Sequence, residues 1–304
     1  MRKGILLTEI IEYLGSEIKT IYGNPEGIEV RYLKDSQNVD KYTLDWINPK
    51  RIDKQQTAKD SKAKAIISSI ELQYTDCLKE QGKVILIVDN PKLSIAKVGN
   101  RFFSMKLNPG IDSTAFIHKL AKLGKNIFIG PNAVIGNCTI GDNVIIYGNT
   151  IIYDDVIIKN NVEIHNGCSI GSEAHNFIIE ESGKMVKFPH LGGLVIYDYV
   201  VIGANSVISR GVLGSTMIKQ SCKIAQLVFI GANNIINKNC LIRPNVMIAG
   251  SVEIGEYSII NSSATIREQC SIGQGCIIGM GSVVTKSVPA FETWIGNPAK
   301  KMIK

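Results

Sequence analysis

Four histidines are the side chains of this sequence best suited to exchange a proton near neutral pH. His118, His165, His175 and His190 lie far apart, without the clustered spacing of zinc ligands, so no metal site is predicted. His175 and His190 share one loop-like segment, from which either ring could reach a cleft as a general base. His165 is expected at the surface and His118 in a structural position.

A six-residue repeat is expected to position these side chains. From Ile218 to Val284 a branched apolar residue occurs at every sixth position, and a small or medium-sized residue follows four places later. This period fits neither a lone helix nor a lone strand. It predicts a solenoid in which three short strands and their turns form one 18-residue coil. The same spacing places four side chains in one interior column: Cys222, Cys240, Ser258 and Cys276.

The seven cysteines are consistent with packing rather than with disulfides or metal binding. Their number is odd, none forms a CxxC pair, and five occupy the small inward position of the repeat. These five are Cys168, Cys222, Cys240, Cys270 and Cys276.

The repeat also divides the chain. Residues 1–105 mix helical and strand patterns and are expected to form an α/β domain. Residues 106–288 are expected to form the β-helix, with an inserted loop at 171–194, and residues 289–304 a C-terminal cap. Insertions in solenoids lie on one face and often line a binding surface. The predicted fold is therefore mainly β, a parallel β-helix of hexapeptide repeats preceded by a small α/β domain.

Composition narrows the classes of function. The 304 residues are 45% apolar, which suffices for a substantial core, and the net charge of +7 is spread along the chain. That distribution argues against nucleic-acid binding and suits phosphate-bearing ligands or an acidic carrier protein. No apolar run is long enough for a membrane span, and no signal-peptide core follows the first residues, so a cytoplasmic location is expected.

Several motifs resemble those of the left-handed β-helix acyltransferases, and more narrowly the UDP-3-O-acylglucosamine N-acyltransferases of lipid A synthesis. Residues 202–211, IGANSVISRG, are close to that family's IGANTTIDRG, and residues 187–192, KFPHLG, are similar to its KIPQLG. Residues 88–91 match its VDNP, and residues 48–51, NPKR, resemble its uridine-binding NPKY segment. The resemblance implies a homotrimer and a nucleotide-binding role for Asn48, Pro49, Lys50 and Arg51, with Arg51 replacing the tyrosine.

The family's catalytic stretch, I-D-N-x-V-x-I-A-H-N, is only partly retained. Residues 224–233, IAQLVFIGAN, keep the apolar frame and the final Asn233, but Ala225 replaces the aspartate and Ala232 the histidine. A second family histidine aligns with Gln269. Asn233 either contacts the sugar or thioester or is a turn asparagine. The candidate catalytic residues are therefore Asn233, His175 and His190.

The C-terminal stretch is similar to a different group of enzymes. Residues 281–289, GSVVTKSVP, and residues 296–300, GNPAK, resemble the last coil of acetyl-CoA-dependent sugar acetyltransferases, which implies contacts with the coenzyme. Together with small residues at solenoid turns, this gives a set of acyl-donor-binding candidates: Gly231, Gly250, Ser251, Gly281, Ser282, Lys286, Pro298 and Lys300.

These features predict an N-acyltransferase that moves an acyl group from a thioester, with acyl-CoA favoured, to the amine of a nucleotide-linked amino sugar in surface polysaccharide or lipopolysaccharide synthesis. No permanently bound cofactor is expected. A general base contributes about 10²–10⁴-fold, so loss of the family histidine leaves a substrate-assisted reaction feasible. Two alternatives remain, a lipid A-type enzyme that uses acyl carrier protein and a non-catalytic nucleotide-sugar-binding scaffold.

Overall fold

The computed structural model describes residues 4–104 and 107–302. The chain divides into two compact units, residues 1–106 and residues 107–304. Within the described ranges, no helix combines the length and apolar character needed to cross a bilayer.

The N-terminal unit is an α/β fold around a four-stranded sheet. In spatial order the strands are Ile18–Tyr22, Val84–Val88, Ala65–Ser68 and Leu44–Trp46, of which the first is antiparallel to its neighbour and the others are parallel. A separate pair joins Ile5–Leu6 to Glu29–Val30. The α-helices are Leu7–Leu14, Lys54–Asp60, Asp76–Glu80 and Pro91–Val98, with a 3-10 turn at Gly15–Glu17 and a π turn at Gly99–Phe103.

The second unit is a solenoid with three sheets, each built from one short strand per coil. The first face contains Gly110–Ile111, Phe128–Ile129, Ile145–Ile146, Glu163–Ile164, Val201–Ile202, Lys223–Ile224, Leu241–Ile242, Ile259–Ile260, Ile277–Ile278, Thr293–Ile295 and Lys300–Lys301. The second face contains Phe116–Ile117, Val134–Ile135, Ile151–Ile152, Ser169–Ser172, Val207–Ser209, Phe229–Ile230, Met247–Ile248, Thr265–Ile266 and Val283–Val284. The third face contains Lys122–Leu123, Thr139–Ile140, Val156–Ile158, Leu194–Ile196, Thr216–Ile218, Ile235–Ile236, Glu253–Ile254 and Ser271–Ile272.

The six-residue repeat forms the solenoid core, as the sequence predicts. Every branched position from Ile218 to Val284 is at most 2% exposed. Parallel pairing joins residues 18 apart, for example Phe229 with Met247. Each isoleucine therefore packs on its counterpart in the next coil, which makes the interior a continuous apolar column.

The turns between strands require a left-handed backbone at one residue in each. Asn233 has φ 60°, and Ser251 and Gln269, one and two coils later, have φ 57° and 61°. Asparagine tolerates this conformation better than most residues because its short polar side chain bonds locally. This preference explains why asparagines recur at six-residue intervals outside the core.

The inserted loop contains a two-stranded antiparallel hairpin, Phe177–Ile179 with Met185–Lys187. It leaves the second face after the strand Ser169–Ser172, and the chain returns to the third face at Leu194–Ile196. The insertion thus projects from one side of the solenoid.

The interior thiols make the stability of the fold sensitive to alkaline pH. Burial raises the pKa of Cys138 from its ordinary value of 9.0 to about 11, and burial also raises the pKa of Cys168 and Cys276. The unfolded chain releases these protons at lower pH than the folded one, so the folded state loses stability as pH rises from about 9 to 11. For Cys138 alone the loss is on the order of 3 kcal/mol.

Urea unfolding at pH 8 and pH 10.5 checks this prediction. We expect the Cys138→Ala variant to lose less stability than the wild-type protein between the two pH values. An equal loss in both proteins would contradict the assignment to this thiol.

Candidate functional site

A concave site of the solenoid lies between its second face and the inserted loop. This cavity measures about 750 Å³. The solenoid side includes Val207, Ser209, Phe229, Ala232, Met247 and Gly250, and the insertion contributes Glu173, His175, Asn176 and His190. Residues almost sixty positions apart in sequence, such as Glu173 and Ala232, therefore line the same cavity.

Close stacking of two coils shapes the cavity floor. A Cβ on Gly231 would lie 3.0 Å from the carbonyl carbon of Ala249 and 3.1 Å from the amide nitrogen of Gly250, so a larger residue would push the two coils slightly apart. The Gly231 amide donates to the Ile248 carbonyl at 2.9 Å. Among the described residues, the amides of Ala232 and Gly250 have no acceptor. These two N–H groups are thus available to a ligand.

Asn233 connects the cavity floor to the loop that follows the second-face strand Val207–Ser209. Its side-chain oxygen accepts a hydrogen bond from the Val212 amide at 2.8 Å, and its own amide donates to the Thr216 hydroxyl at 3.0 Å. Together with its positive φ, these bonds make Asn233 a turn residue. The side-chain NH₂ has no partner within the described part of the chain.

The neighbouring Asn234 is wholly buried, and its amide is fully paired. It donates to the Gly231 and Ala249 carbonyls, both at 2.8 Å, and accepts from the Val252 amide at 2.7 Å. A buried amide needs such partners, and here backbone groups supply them. Asn234 therefore fixes the spacing of the two turns that carry Ala232 and Gly250.

The two loop histidines reach the same cavity but differ in environment. His175 is exposed, with its ring 6.0 Å from that of Phe177. His190 is only 2% exposed, and neither of its ring nitrogens has a hydrogen-bond partner among the described residues. The other two histidines lie outside this cavity, His165 stacked on Tyr147 at 4.8 Å and His118 beside a separate depression.

Known proteins match both the repeat and most of the chain. The bacterial transferase hexapeptide family (six repeats) matches residues 120–153, 137–172, 235–268 and 252–286. A UDP-3-O-acylglucosamine N-acyltransferase of Campylobacter lari is 38% identical over 252 residues, which cover 78% of this chain and 75% of the relative. The chain belongs to the UDP-3-O-acylglucosamine N-acyltransferase family.

Other relatives agree. UDP-3-O-acylglucosamine N-acyltransferase 1 of Francisella tularensis is 41% identical over 216 residues, 63% of this chain and 62% of that protein. Crystal structures of UDP-N-acetylglucosamine acyltransferases from Moraxella catarrhalis and Francisella novicida superpose with TM-scores of 0.58, at 27% and 28% identity. They cover 63% of this chain and 73% and 68% of their own chains, respectively.

The comparisons bear on the predicted fold and on the two sequence-based interpretations of the acyl donor. The fold is a left-handed parallel β-helix of hexapeptide repeats, as predicted. The relatives favour the lipid A-type alternative over the acyl-CoA-dependent interpretation based on the C-terminal motif. They are acyltransferases by name, which supports an enzyme over a scaffold.

Several positions of the cavity depart from the family motifs quoted above, and Gln269, in place of the second family histidine, is one of them. Ala232 replaces the histidine of the catalytic stretch, His190 replaces the glutamine of KIPQLG, and Ser209 replaces the aspartate of IGANTTIDRG. The Ser209 hydroxyl is 1% exposed and has no partner among the described residues. Sequence analysis did not select Ser209, although its departure from the motif was a visible signal.

The proposed acyl-donor residues separate into two groups. Gly231, Gly250 and Ser251 line the cavity. The remaining five residues, which do not line it, belong to the last coil and its cap: Gly281, Ser282, Lys286, Pro298 and Lys300.

Ser282 requires a correction, because the structure leaves it no surface for a ligand. It is wholly buried, and its hydroxyl accepts from the Gly296 amide at 3.1 Å. Lys286 lies over the Trp294 ring at 5.6 Å. These contacts close the end of the solenoid.

The N-terminal unit contains a second, polar cavity of about 520 Å³. Asn48 and Arg51 line it, whereas Pro49 and Lys50 do not. The Arg51 guanidinium donates two hydrogen bonds, of 2.8 and 2.6 Å, to the Asp53 carboxylate. This contact lowers the pKa of the Asp53 carboxyl below its usual range. Trp46, which sequence analysis missed, supplies the aromatic surface in this cavity.

The buried amide of Asn234 gives a test of how the cavity floor is held. Asn234→Ala leaves two buried carbonyls and one buried amide unpaired, so we expect a loss of about 3 kcal/mol of unfolding free energy. Urea denaturation measures this loss. As a control, Asn237→Ala removes half-exposed bonds to Ile254 and Glu253, which water can replace, so the expected loss is below about 1 kcal/mol. Equal losses would contradict the proposed role.

Proposed function

We propose that this protein transfers an acyl group from a pantetheine thioester to the amine of UDP-3-O-acylglucosamine, as in lipid A synthesis. The observation that carries the proposal is the cavity at Ala232, where the segments that match the family's IGANTTIDRG, KIPQLG and catalytic motifs come together. Family membership supports the substrate class.

The reaction needs positioning, oxyanion stabilisation and a route for one proton. The amine nitrogen attacks the thioester carbonyl carbon, and the carbonyl oxygen becomes an oxyanion. The unpaired amides of Ala232 and Gly250 would donate to this oxyanion; removing one such donor in other enzymes costs about 10²–10³-fold in rate. Collapse breaks the C–S bond, and the departing thiolate takes up the proton lost by the amine.

The acyl chain would lie along the second face of the solenoid. Phe229 and Met247 lie one coil apart on this face and are 38% and 42% exposed beside the reacting position. Contact with an acyl chain would remove this apolar surface from water, and each buried methylene contributes about 0.8 kcal/mol.

The nucleotide would occupy the polar cavity of the N-terminal unit. Trp46 offers a flat face for a base, and Asn48 lies beside it. Because Arg51 is held by Asp53, Trp46 is the better candidate for base stacking.

We further propose that the protein acts in the cytoplasm as a homotrimer, which the family resemblance supports. Light scattering of the purified protein measures the oligomeric state directly.

Thiol release distinguishes the candidate functions. With UDP-3-O-acylglucosamine as acceptor, we expect acyl carrier protein thioesters to release thiol and form the N-acyl product. Acyl-CoA of the same chain length forms the second arm, because both donors share the pantetheine thioester. Turnover with acyl-CoA alone would restore the coenzyme-dependent interpretation. Acceptor binding without thiol release from either donor would instead favour a scaffold.

Trp46→Ala tests the nucleotide site. Loss of base stacking is expected to raise KM for the UDP-linked acceptor about tenfold and to leave kcat nearly unchanged. Steady-state kinetics with the acceptor varied at saturating donor provides the measurement. Trp294→Phe serves as the control, because Trp294 is the second tryptophan of the chain and lies in the solenoid cap. This variant should leave KM unchanged. Unchanged kinetics in Trp46→Ala would exclude it from the nucleotide site.

A further inference from the structure

His190 combines features that a purely structural histidine rarely has. It is 2% exposed in the wall of the cavity at Ala232, and neither ring nitrogen has a hydrogen-bond partner among the described residues. The hydroxyl of Ser209 in the same cavity is also buried and unpaired. A buried polar group without a partner costs about 1–3 kcal/mol. Two of them in one cavity indicate a polar ligand between the loop and the second face.

The backbone around His190 is held firmly against the turn that carries Ala232. The amides of Leu191 and Gly192 both donate to the Val212 carbonyl, at 2.7 and 2.9 Å. The Val212 amide in turn donates to the Asn233 side chain at 2.8 Å. Only two hydrogen-bonded steps therefore separate the loop histidine from the solenoid turn.

Glycine is required where this connection is tightest. A Cβ on Gly192 would lie 1.6 Å from the Gly214 carbonyl oxygen, so no other residue fits without moving the loop. The Gly193 carbonyl accepts from the amides of Gly211 and Thr216, at 2.9 and 3.1 Å. The segment after His190 is thus packed as a fixed wall.

Resting on the proposed function, we propose that His190 is the general base of this enzyme and replaces the histidine that the family has at position 232. Both ring nitrogens are closed to water in this conformation, so the imidazole must first turn toward the cavity. As the C–N bond forms, a neutral ring nitrogen of His190 then accepts the proton of the attacking amine. When the C–S bond breaks, His190 returns that proton to the departing thiolate. Atoms and charge balance without any other reactant. The histidine has moved from the solenoid turn to the opposite wall of the same cavity.

The surrounding charges suit an imidazole that becomes positively charged during the reaction. The Glu173 carboxylate lines the cavity and forms an ion pair with Lys187, which lowers the pKa of Glu173 below its usual range. The charge of Arg210 also acts on Glu173, and Glu268 lines the cavity as well. Two carboxylates thus border the cavity in which an imidazolium forms.

The test compares His190→Gln, which restores the family's residue, with the wild-type enzyme under the assay described above. We expect kcat to fall about 10²–10⁴-fold with little change in KM, because a base acts in the transition state. The acidic limb of the kcat/KM–pH profile should also change, because the contribution from protonation of the enzyme's base is lost and only protonation of the substrate amine remains. His165→Gln, a histidine outside the cavity, is the matched control and should retain wild-type kinetics.

A second variant separates a catalytic from a structural role. His190→Gln combined with Ala232→His returns both positions to the family's residues. We expect the activity of this double variant to be at least tenfold higher than that of His190→Gln. Circular dichroism and the unfolding midpoint establish that each variant is folded.

Each remaining outcome overturns the inference in a distinguishable way. Wild-type-like activity and pH profile in folded His190→Gln would show that the substrate-assisted route suffices. A loss of activity in His175→Gln rather than His190→Gln would assign the base to the exposed histidine. A wild-type enzyme that releases no thiol from either donor would overturn the proposed function itself.

Discussion

Stacking of coils at one 18-residue register is the constraint on which the rest of this structure depends. The isoleucine ladder can pack only if each coil lies directly on the previous one, so positions 18 apart necessarily become neighbours. At the turn, this register brings the Gly231 backbone so close to the Gly250 amide that a Cβ on residue 231 would lie only 3.1 Å from its nitrogen. The same spacing places Ala232 and Gly250, with their unpaired amides, on one cavity floor. The geometry of this cavity floor is therefore a product of core packing.

Two kinds of buried polar group distinguish structural support from function. Asn234 has all its bonds satisfied by backbone groups of its own turn and the following coil. His190 and Ser209 are equally buried, yet they have no partner among the described residues. A fold gains stability from the first arrangement and loses it through the second. On the proposal made above, the unpaired groups of His190 and Ser209 therefore mark where a ligand contributes hydrogen bonds.

The solenoid was predictable from sequence because its interior repeats at a fixed interval, which only one architecture satisfies. Period alone located the core positions, the interior cysteines and the inserted loop. The strand Ile18–Tyr22 escaped notice because its side chains do not alternate between apolar and polar. Its neighbour in the sheet is far along the chain, so no local pattern reveals the pairing.

The site was only partly predictable, because it depends on distances between segments that the repeat does not connect. His190 and His175 look equivalent in sequence, and only folding buries one ring and exposes the other. Ser282 looked like a ligand contact by resemblance, but it faces the interior of the last coil. Trp46 gave no motif signal, since its role depends on the cavity around it.

The hairpin that carries the segment before His190 has consequences for how such proteins diversify. Its strands, Phe177–Ile179 and Met185–Lys187, pair with each other and not with any coil, so its length can change without altering the rise of the solenoid. A reactive group on a coil turn is tied to that rise and cannot move independently of it. A group on the inserted loop is outside that repeat, so its identity can change while the scaffold beneath remains constant.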